Sequence, residues 1–397
     1  FIDHINNSKI IFSEGYQLTS SENFEAFVSI LESTNQEVKF AFSLSDPFVI
    51  ENFRDRVEKI LELKRIDYLF CNLEEAKSLV GDNFEDSLKQ ITNNLIMIRP
   101  KHFNFNIETA ENNHFQKKDE RLSNEKILKK ATSEFDKMVL QLLKNKIDVT
   151  VFDDKKEIVT TDSVFPNNWI SFHQNGLVFI YPMFSENRRK EKRKDILEKL
   201  DDGYEIKKII DFSSYEMDSV FLEGTGSMIL DRQNRICYAS LSERTNKIAI
   251  KKFCEKALYT PIIFKSYQKI NDDKSLIYHT NVMMCVAEEY VLICLDSVHS
   301  EDDKNNIIST IKNTQKEIIE ISEKQCNSFA GNMLQVTNKI NEKFLIMSSS
   351  AYNSLEKEQR IKLLKYNKII HSDLSLIEKL GGGSARCMIA ENFLQKK

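Results

Sequence analysis

Short apolar strands alternate with amphipathic helices along the whole chain, which leaves few residues for flexible connections. The 397 residues include only 10 glycines and 5 prolines, and we find no flexible linker and no low-complexity segment. Beyond about residue 93, the order strand, strand, helix, strand recurs several times without a sequence repeat of fixed period. The alternation predicts an α/β fold. A chain of this length exceeds one typical domain, so we expect two.

Composition excludes several classes of function. The formal net charge is −4, which gives no basic excess for nucleic acid or an anionic membrane surface. No apolar run approaches the roughly 20 residues that span a bilayer. The seven cysteines are scattered and odd in number, which favours a reducing compartment, and we expect a cytoplasmic location. No Cys or His spacing suits a metal site, so we expect neither a metal nor a cofactor.

A glycine cluster marks the first candidate site residue. Gly381, Gly382 and Gly383 stand together shortly before Cys387. Glycine lets the backbone approach a ligand and adopt positive φ, and a cysteine after such a turn can be held near backbone N–H groups that activate its thiol. A surface turn followed by a buried structural cysteine is the alternative interpretation.

Two further stretches combine polar residues with apolar strands. His279 and Asn281 stand at the entrance of the apolar run that follows them, and Glu223 lies beside two small residues before another strand. A carboxylate there can orient an imidazole. Each stretch on its own is also compatible with a buried histidine at a strand edge or with a solvated glutamate in a glycine turn.

Taken together, these motifs resemble the amidinotransferase and arginine-deiminase-like (pentein) superfamily, and most of all its citrulline-utilisation hydrolase branch. The resemblance covers about residues 95–396. Its motifs are Arg99–Phe103, Asp162–Trp169, Tyr181–Phe184, Glu223–Asp231, Tyr278–Met284, Phe329–Met333 and Gly381–Glu391.

The resemblance implies a closed ring of five ββαβ units, an α/β-propeller, with catalytic residues that project into a central channel. It implies that Cys387 is the nucleophile and that His279 is the acid and base. Glu223 would orient the imidazole. Thiolates suit this chemistry because the carbons of guanidinium and ureido groups are weak electrophiles.

The same resemblance suggests how an amino-acid substrate is held. Asp162 would bind the α-amino group, and Arg244 would bind the α-carboxylate with help from Arg188, since arginine can clamp a carboxylate with two parallel bonds. We expect this small molecule as a partner and leave the choice between monomer and homo-oligomer open.

Two asparagines depart from the pattern of relatives that bind cations. Those relatives carry aspartates at the places of Asn168 and Asn281. An amide offers both a donor and an acceptor, whereas a carboxylate only accepts. The exchange favours a neutral ureido substrate, most of all citrulline, which hydrolysis would convert to ornithine, ammonia and carbon dioxide. Arginine or methylarginine hydrolysis, amidino transfer, and a catalytically silent binding protein remain alternatives.

The N-terminal segment is of a different kind. Residues from about 8 to 88 resemble part of ribokinase-like carbohydrate kinases, through Ser13–Tyr16, Ser43–Phe48 and Asp67–Ala76. The glycine-rich anion hole and catalytic base of those kinases are missing. We therefore predict a partial, inactive ribokinase-like segment at residues 1–92 and a hydrolase domain at residues 93–397.

Overall fold

The chain divides into two units. The computed structural model describes residues 5–6, 8–35, 37–80, 89–270 and 273–397. The contacts separate a smaller unit, Phe1–Leu88, from a larger unit, Lys89–Lys397. Within the described ranges, every helix is too short or too polar to cross a bilayer.

The smaller unit is a parallel sheet of three strands with helices. Its strands pair in the order β1–β2–β3. They are β1 (Ile10–Glu14), β2 (Lys39–Ser43) and β3 (Tyr68–Phe70), and its helices are α1 (Ser21–Ser33), α2 (Pro47–Asn52), α3 (Arg54–Glu62) and α4 (Leu73–Val80). Its core includes Phe27 and Leu31 of α1, Phe42 of β2 and Val57 of α3. Burying one such side chain contributes about 1.5–3 kcal/mol.

Asn72 and Glu75, which the kinase resemblance singles out, bond to each other at the start of α4. The Asn72 amide donates to Glu75 Oε1 at 2.6 Å, and the Glu75 N–H donates to Asn72 Oδ1 at 2.9 Å. This reciprocal pattern satisfies backbone groups that a helix start leaves unpaired. Both side chains therefore have a structural use in α4.

The larger unit contains the remaining described strands and helices. Its strands are β4 (Asn94–Arg99), β5 (Asp148–Asp153), β6 (Ile170–Phe172), β7 (Leu177–Ile180), β8 (Lys208–Asp211), β9 (Ile229–Asp231), β10 (Ile236–Ser240), β11 (Thr260–Phe264), β12 (Tyr267–Ile270), β13 (Asp273–Leu276), β14 (Met284–Val286), β15 (Tyr290–Ile293), β16 (Glu317–Glu320), β17 (Leu334–Thr337), β18 (Lys343–Ser348), β19 (Lys368–Ser372) and β20 (Ala390–Glu391). Its helices are α5 (Ile107–Ala110), α6 (Asn124–Lys144), α7 (Lys194–Gly203), α8 (Gly224–Ser227), α9 (Lys247–Ala257), α10 (Glu301–Asn313), α11 (Glu323–Cys326), α12 (Ser349–Ser354), α13 (Lys357–Tyr366) and α14 (Ser375–Gly381).

One topology recurs in the three-stranded sheets of the larger unit. The sheets described are β6–β7–β8, β9–β10–β11, β14–β15–β16, β17–β18–β19 and β20–β4–β5. In each, the middle strand runs antiparallel to the first strand and parallel to the third. At least one helix connects the middle strand to the third. The α/β class predicted from the sequence is confirmed, and β20 joins the C-terminal end of the unit to β4 near its start.

The longest helix illustrates how the sequence builds this unit. Ser123 caps α6 by accepting a hydrogen bond from the Lys126 N–H, which satisfies one free backbone donor. Ile127, Phe135 and Leu142 recur at helical spacing and are buried in the core around β4. The apolar face of α6 therefore packs inward, as its periodicity requires.

Each repeated sheet is entered through a turn that carries a polar side chain. Asn168 comes just before β6, Glu223 before α8 and β9, and His279 before β14. Asn332 comes just before β17, and Cys387 lies shortly before β20. The repeated topology thus places residues distant in sequence at equivalent positions of five sheets.

Candidate active site

Cys387 follows the glycine turn that ends α14. Gly382 adopts φ +64° at the end of this helix, a conformation that glycine adopts without steric cost. A side chain at Gly381 or Gly383 would lie 2.9 Å from the Phe165 ring. Glycine is therefore required at these positions for the turn to pack against Phe165. In the same turn, the Cys387 N–H donates to Ser384 O at 3.0 Å.

Two asparagine amides converge on the Cys387 sulfur. Asn281 Nδ2 lies 3.3 Å from Sγ and Asn332 Nδ2 lies 3.2 Å from it. All three side chains are buried. The thiol therefore lies in a protein-lined site beside two N–H donors.

His279 and Glu223 form a buried pair. His279 Nε2 lies 2.8 Å from Glu223 Oε2. Because an ionised carboxylate only accepts, we assign the imidazole proton to Nε2, which leaves Nδ1 able to take up a proton. Gly226 makes room for the ring, since a Cβ there would lie 2.8 Å from His279 Nδ1.

Two arginines control the charge of this pair. Arg244 and Arg188 lie 3.5 and 3.8 Å from Glu223 Oε2. Burial raises the pKa of Glu223, but Arg244, His279 and Arg188 outweigh it and hold that pKa below its usual range. Burial lowers the pKa of His279 to about 4, although Glu223 pulls it upward and the arginines push it further down. The resting pair is thus a neutral imidazole on an ionised carboxylate.

Side chains of the protein already hold the Arg188 guanidinium. Its Nε and Nη2 donate to Glu191 at 2.9 and 2.8 Å, and its Nη1 donates to Asn168 Oδ1 at 2.9 Å. Nε also lies 3.8 Å from Asp162 Oδ2. Burial raises the pKa of Glu191 to about 7, opposed by Arg188. The guanidinium expected to help with a substrate carboxylate thus binds an internal carboxylate and orients Asn168.

Asp162 and Arg244 are both bonded to the segment around α5. Asp162 Oδ2 accepts from Asn106 Nδ2 at 2.7 Å and from the Thr109 hydroxyl at 3.3 Å. Arg244 Nη2 donates to Thr109 O at 2.8 Å, and its Nε donates to Asn112 Oδ1 at 2.8 Å. Burial raises the pKa of Asp162, against the opposing charges of Arg188 and Arg244.

Three buried polar atoms of the predicted site have no hydrogen-bond partner among the residues that the structure describes. They are Asp162 Oδ1, Asn168 Nδ2 and Asn281 Oδ1. A buried polar group without a partner is costly, so such atoms indicate where a ligand would bond. The set offers one N–H donor and two acceptors.

Most of the predicted residues line one small cavity. Its lining includes Cys387, His279, Asp162, Asn168, Arg188 and Arg244. Glu223 is hydrogen-bonded to His279, and Asn281 contacts the Cys387 sulfur. The structure therefore brings all eight predicted side chains together, although they span residues 162–387.

Sequence reasoning missed four residues that hold this site: Glu191, Asn332, Asn106 and Thr109. Glu191 stands three residues after Arg188, a spacing that places two side chains side by side on a helical turn. Asn332 belonged to a recognised motif, Phe329–Met333, but had no assigned role. Its signal was its position just before β17, which matches those of Asn168 and His279. Asn106 and Thr109 gave no signal in the sequence.

Comparisons with known proteins place this arrangement in a family. The model of the eukaryotic N,N dimethylarginine dimethylhydrolase family matches residues 99–394. No curated protein matches the sequence.

Solved structures show the fold. ArgZ, an arginine dihydrolase from the ornithine–ammonia cycle in cyanobacteria, has a TM-score of 0.58 and 17% identity, over 75% of this chain and 40% of the ArgZ chain. The product-bound N-terminal domain of ArgZ gives 0.57 and 17%, over 76% and 97% of the two chains. A dimethylarginine dimethylaminohydrolase adduct with S-methyl-L-thiocitrulline gives 0.50 and 18%, over 76% and 99%.

The chain spans 40% of the ArgZ chain. Because the identities are 17–18%, these likenesses show the fold alone. That fold is the one shared by the amidinotransferase and arginine-deiminase-like superfamily. With the family match over residues 99–394, the chain belongs to the eukaryotic N,N dimethylarginine dimethylhydrolase family.

Proposed function

We propose that the protein is a cysteine-dependent hydrolase that acts on the ureido group of an arginine-related amino acid, with citrulline as the substrate. The observation that carries this choice is the unpaired amide N–H of Asn168 in the cavity beside Cys387.

Arg188 fixes the direction of that amide. A guanidinium can only donate, so the Asn168 oxygen must face Arg188 and the nitrogen must face away. A ureido oxygen can accept from this nitrogen, whereas a substrate guanidinium offers only donors. The unpaired Asn281 Oδ1 can accept from a ureido NH₂. One donor and one acceptor therefore match a neutral ureido group.

Asp162 and Arg244 suit the two charged groups of an α-amino acid. Asp162 keeps one buried oxygen free for an ammonium group. Arg244 bonds to two uncharged oxygens, from Thr109 and Asn112. A substrate carboxylate would replace an uncharged acceptor with a charged one, and such bonds are roughly twice as strong.

The chemistry follows from the resting charges. Neutral His279 takes the thiol proton as Cys387 forms an S–C bond to the ureido carbon, and the ionised Glu223 stabilises the resulting imidazolium. The C–N bond to the leaving nitrogen then breaks, and that nitrogen takes the proton from His279. His279 next deprotonates a water molecule that attacks the S-linked carbon. The thiolate leaves, and the carbamic acid breaks down to carbon dioxide and an amine.

Arginine or a methylarginine is the second candidate, favoured by the family match and by charge. Ion pairs connect five charged side chains at the site. Two are guanidiniums, of Arg188 and Arg244, and three are carboxylates, of Asp162, Glu191 and Glu223. With all five ionised and His279 neutral, one negative charge is in excess, which suits a cationic side chain. A guanidino substrate would first lose one nitrogen and become a ureide.

We propose that the five repeated sheets form the blades of one α/β-propeller, and that the smaller unit is an inactive ribokinase-like remnant. Gln90 supports a catalytic fragment that begins at Lys89. Its amide donates to Leu230 O and Val286 O and accepts from the Arg232 N–H, all within the larger unit. A fragment from Lys89 should keep hydrolysis, and the full chain should not transfer phosphate from ATP to adenosine or ribose.

The test of the proposed activity is product analysis. The full chain is incubated separately with citrulline, arginine and methylarginine, and ornithine, citrulline and ammonia are measured in each reaction. Cys387→Ser serves as the blank. Ornithine formed from citrulline by the wild type alone supports the proposal, and consumption of none of the three substrates refutes it.

A further inference from the structure

Asn332 makes three hydrogen bonds around the nucleophile and is 1% exposed. Its Oδ1 accepts from the Arg386 N–H at 3.0 Å, directly before Cys387. Its Nδ2 lies 3.1 Å from Asn281 O and 3.2 Å from Cys387 Sγ. One amide thus connects the histidine-bearing segment with the cysteine-bearing turn.

The direction of the Asn332 amide follows from its partners. A backbone N–H can only donate, so the oxygen must face Arg386, and both hydrogens of Nδ2 remain for Asn281 O and the sulfur. A flipped amide would set two donors against each other and place Oδ1 against the Asn281 oxygen. Asn332 is therefore held as a donor toward Sγ.

The backbone of this turn is shaped for that contact. A Cβ at Gly331 would lie 2.7 Å from the Val282 carbonyl carbon and 2.8 Å from that of Met283. Only glycine allows the turn to approach the 281–283 segment this closely. Phe329, at the start of the turn, adopts φ +62°, which is uncommon for a residue with a side chain and indicates an over-determined conformation.

We propose that Asn332 is a catalytic residue that donates a hydrogen bond to the reacting sulfur. The sulfur carries negative charge when the thiol has lost its proton to His279, and again when the thiolate leaves the S-linked intermediate. A fixed N–H donor stabilises that charge at both moments without reorganisation. The proposal rests on Cys387 being the nucleophile of the proposed function. It concerns Asn332, a residue to which the sequence analysis assigned no role.

The test replaces the donor while keeping the acceptor. Asn332→Asp retains an oxygen for the Arg386 N–H but presents an acceptor to Sγ. The matched control is Asn327→Asp, the same change at an exposed position five residues earlier. In the full chain, the rate at which iodoacetamide alkylates Cys387 is followed by peptide mass spectrometry, with Cys387→Ser as the blank. The ultraviolet absorption of the thiolate and the thermal unfolding of each variant are recorded in parallel.

We expect Asn332→Asp to slow alkylation of Cys387 by about 10- to 100-fold, as for loss of a hydrogen bond to a charged group, and to reduce the thiolate absorption. Asn327→Asp should match the wild type. A merely structural role would change the unfolding temperature without changing the reactivity of the sulfur. If Asn332→Asp does not fold, Asn332→Ala removes the same donor and replaces it in the assay.

The outcomes separate this proposal from the proposed function. A wild-type alkylation rate in a folded Asn332 variant overturns the role of Asn332, whatever the substrate. Slow alkylation in that variant, with no ureido or guanidino compound consumed by the wild type, supports Asn332 and overturns the proposed function alone. An unreactive Cys387 in the wild type overturns both.

Discussion

Asn168 Oδ1 accepts a hydrogen bond from Arg188 Nη1 at 2.9 Å, and this bond determines what the Asn168 amide offers to a substrate. The oxygen is used inside the protein, so the free nitrogen is the group left for a ligand. Arg188 is held in turn by Glu191 through two bonds. Under the proposed function, substrate preference at this point would thus depend on Arg188 and Glu191, which hold Asn168 in place.

Replacing Asn168 by aspartate should change the preference for substrate charge. In Asn168→Asp one carboxylate oxygen pairs with Arg188. The other carboxylate oxygen takes the place of Asn168 Nδ2, so that an acceptor replaces the free donor. Citrulline hydrolysis should fall roughly 5- to 150-fold for the lost bond and the unpaired oxygen, while arginine should gain relative to citrulline. The quantity to compare is the ratio of kcat/KM for the two substrates in variant and wild type.

Asn175→Asp is the matched control, because Asn175 is exposed and the change keeps its bond to the Leu177 N–H. The double variant Asn168→Asp/Asn281→Asp should shift the ratio further, although Asn281 also contacts the sulfur. An unchanged kcat/KM ratio in Asn168→Asp, or a wild type that already prefers arginine, would show that these amides do not select between neutral and cationic substrates.

Cys387→Ser and His279→Ala should each abolish turnover and leave the fold intact. The thiol forms the covalent bond and the imidazole moves the protons, so neither can replace the other. Mass spectrometry of the quenched wild-type reaction should show an adduct on Cys387. Cys71→Ser and Cys285→Ser should remain active, and an adduct on either of those residues would contradict the assignment.

The pH dependence should show that His279 is neutral at rest. Because the pKa of His279 is lowered to about 4, the base form persists until the pH falls to that value. The acid limb of kcat/KM should therefore lie near pH 4 and not near the ordinary histidine value of 6.5. The unfolded chain binds this proton first, so stability should decrease as the pH falls from 6.5 toward 4. An acid limb close to 6.5 would mean that the imidazole is not buried as described.

Gly226→Ala should impair catalysis by moving the imidazole and the Asn168 amide. The new methyl group would lie closest to Asn168 Nδ2, and 2.8 Å from His279 Nδ1 and 2.9 Å from Cε1, so both side chains must shift. Displacement of about 1 Å can cost roughly 100-fold in rate, and we expect a loss of that order in kcat. Gly203→Ala is the control, because its Cβ would meet no atom within 4 Å. Equal activities in the two variants would show that Gly226 does not determine the position of the ring.

The sequence indicated which residues gather at the site better than it indicated how they are connected. The glycine cluster before Cys387 and the polar residues before apolar strands marked Cys387, His279 and Glu223, which the structure brings together. Each of them stands shortly before a strand, where a change from polar to apolar residues is visible in the sequence. The α/β class followed from the same alternation of strands and helices.

The hydrogen bonds between distant turns left no trace in the sequence. Nothing local to Arg188 shows that its guanidinium reaches Asn168, 20 positions away in sequence. Nothing near Asn332 shows that its amide reaches a sulfur 55 positions away. Such contacts depend on the order in which the sheets pack, which periodicity does not report. The same limit applies to Asn106 and Thr109, whose bonds to Asp162 form only after β4 and the turn before β6 come together.

The proposed function is tested most directly by the products that form from citrulline. The full chain is incubated with citrulline labelled at the ureido carbon, and ornithine, ammonia and labelled carbon dioxide are measured together, with Cys387→Ser in parallel. We expect the three products to form in equal amounts and the label to pass transiently onto Cys387, and we expect the serine variant to form none of the products. Citrulline left intact while arginine or methylarginine is converted to citrulline as the final product would contradict the proposed function.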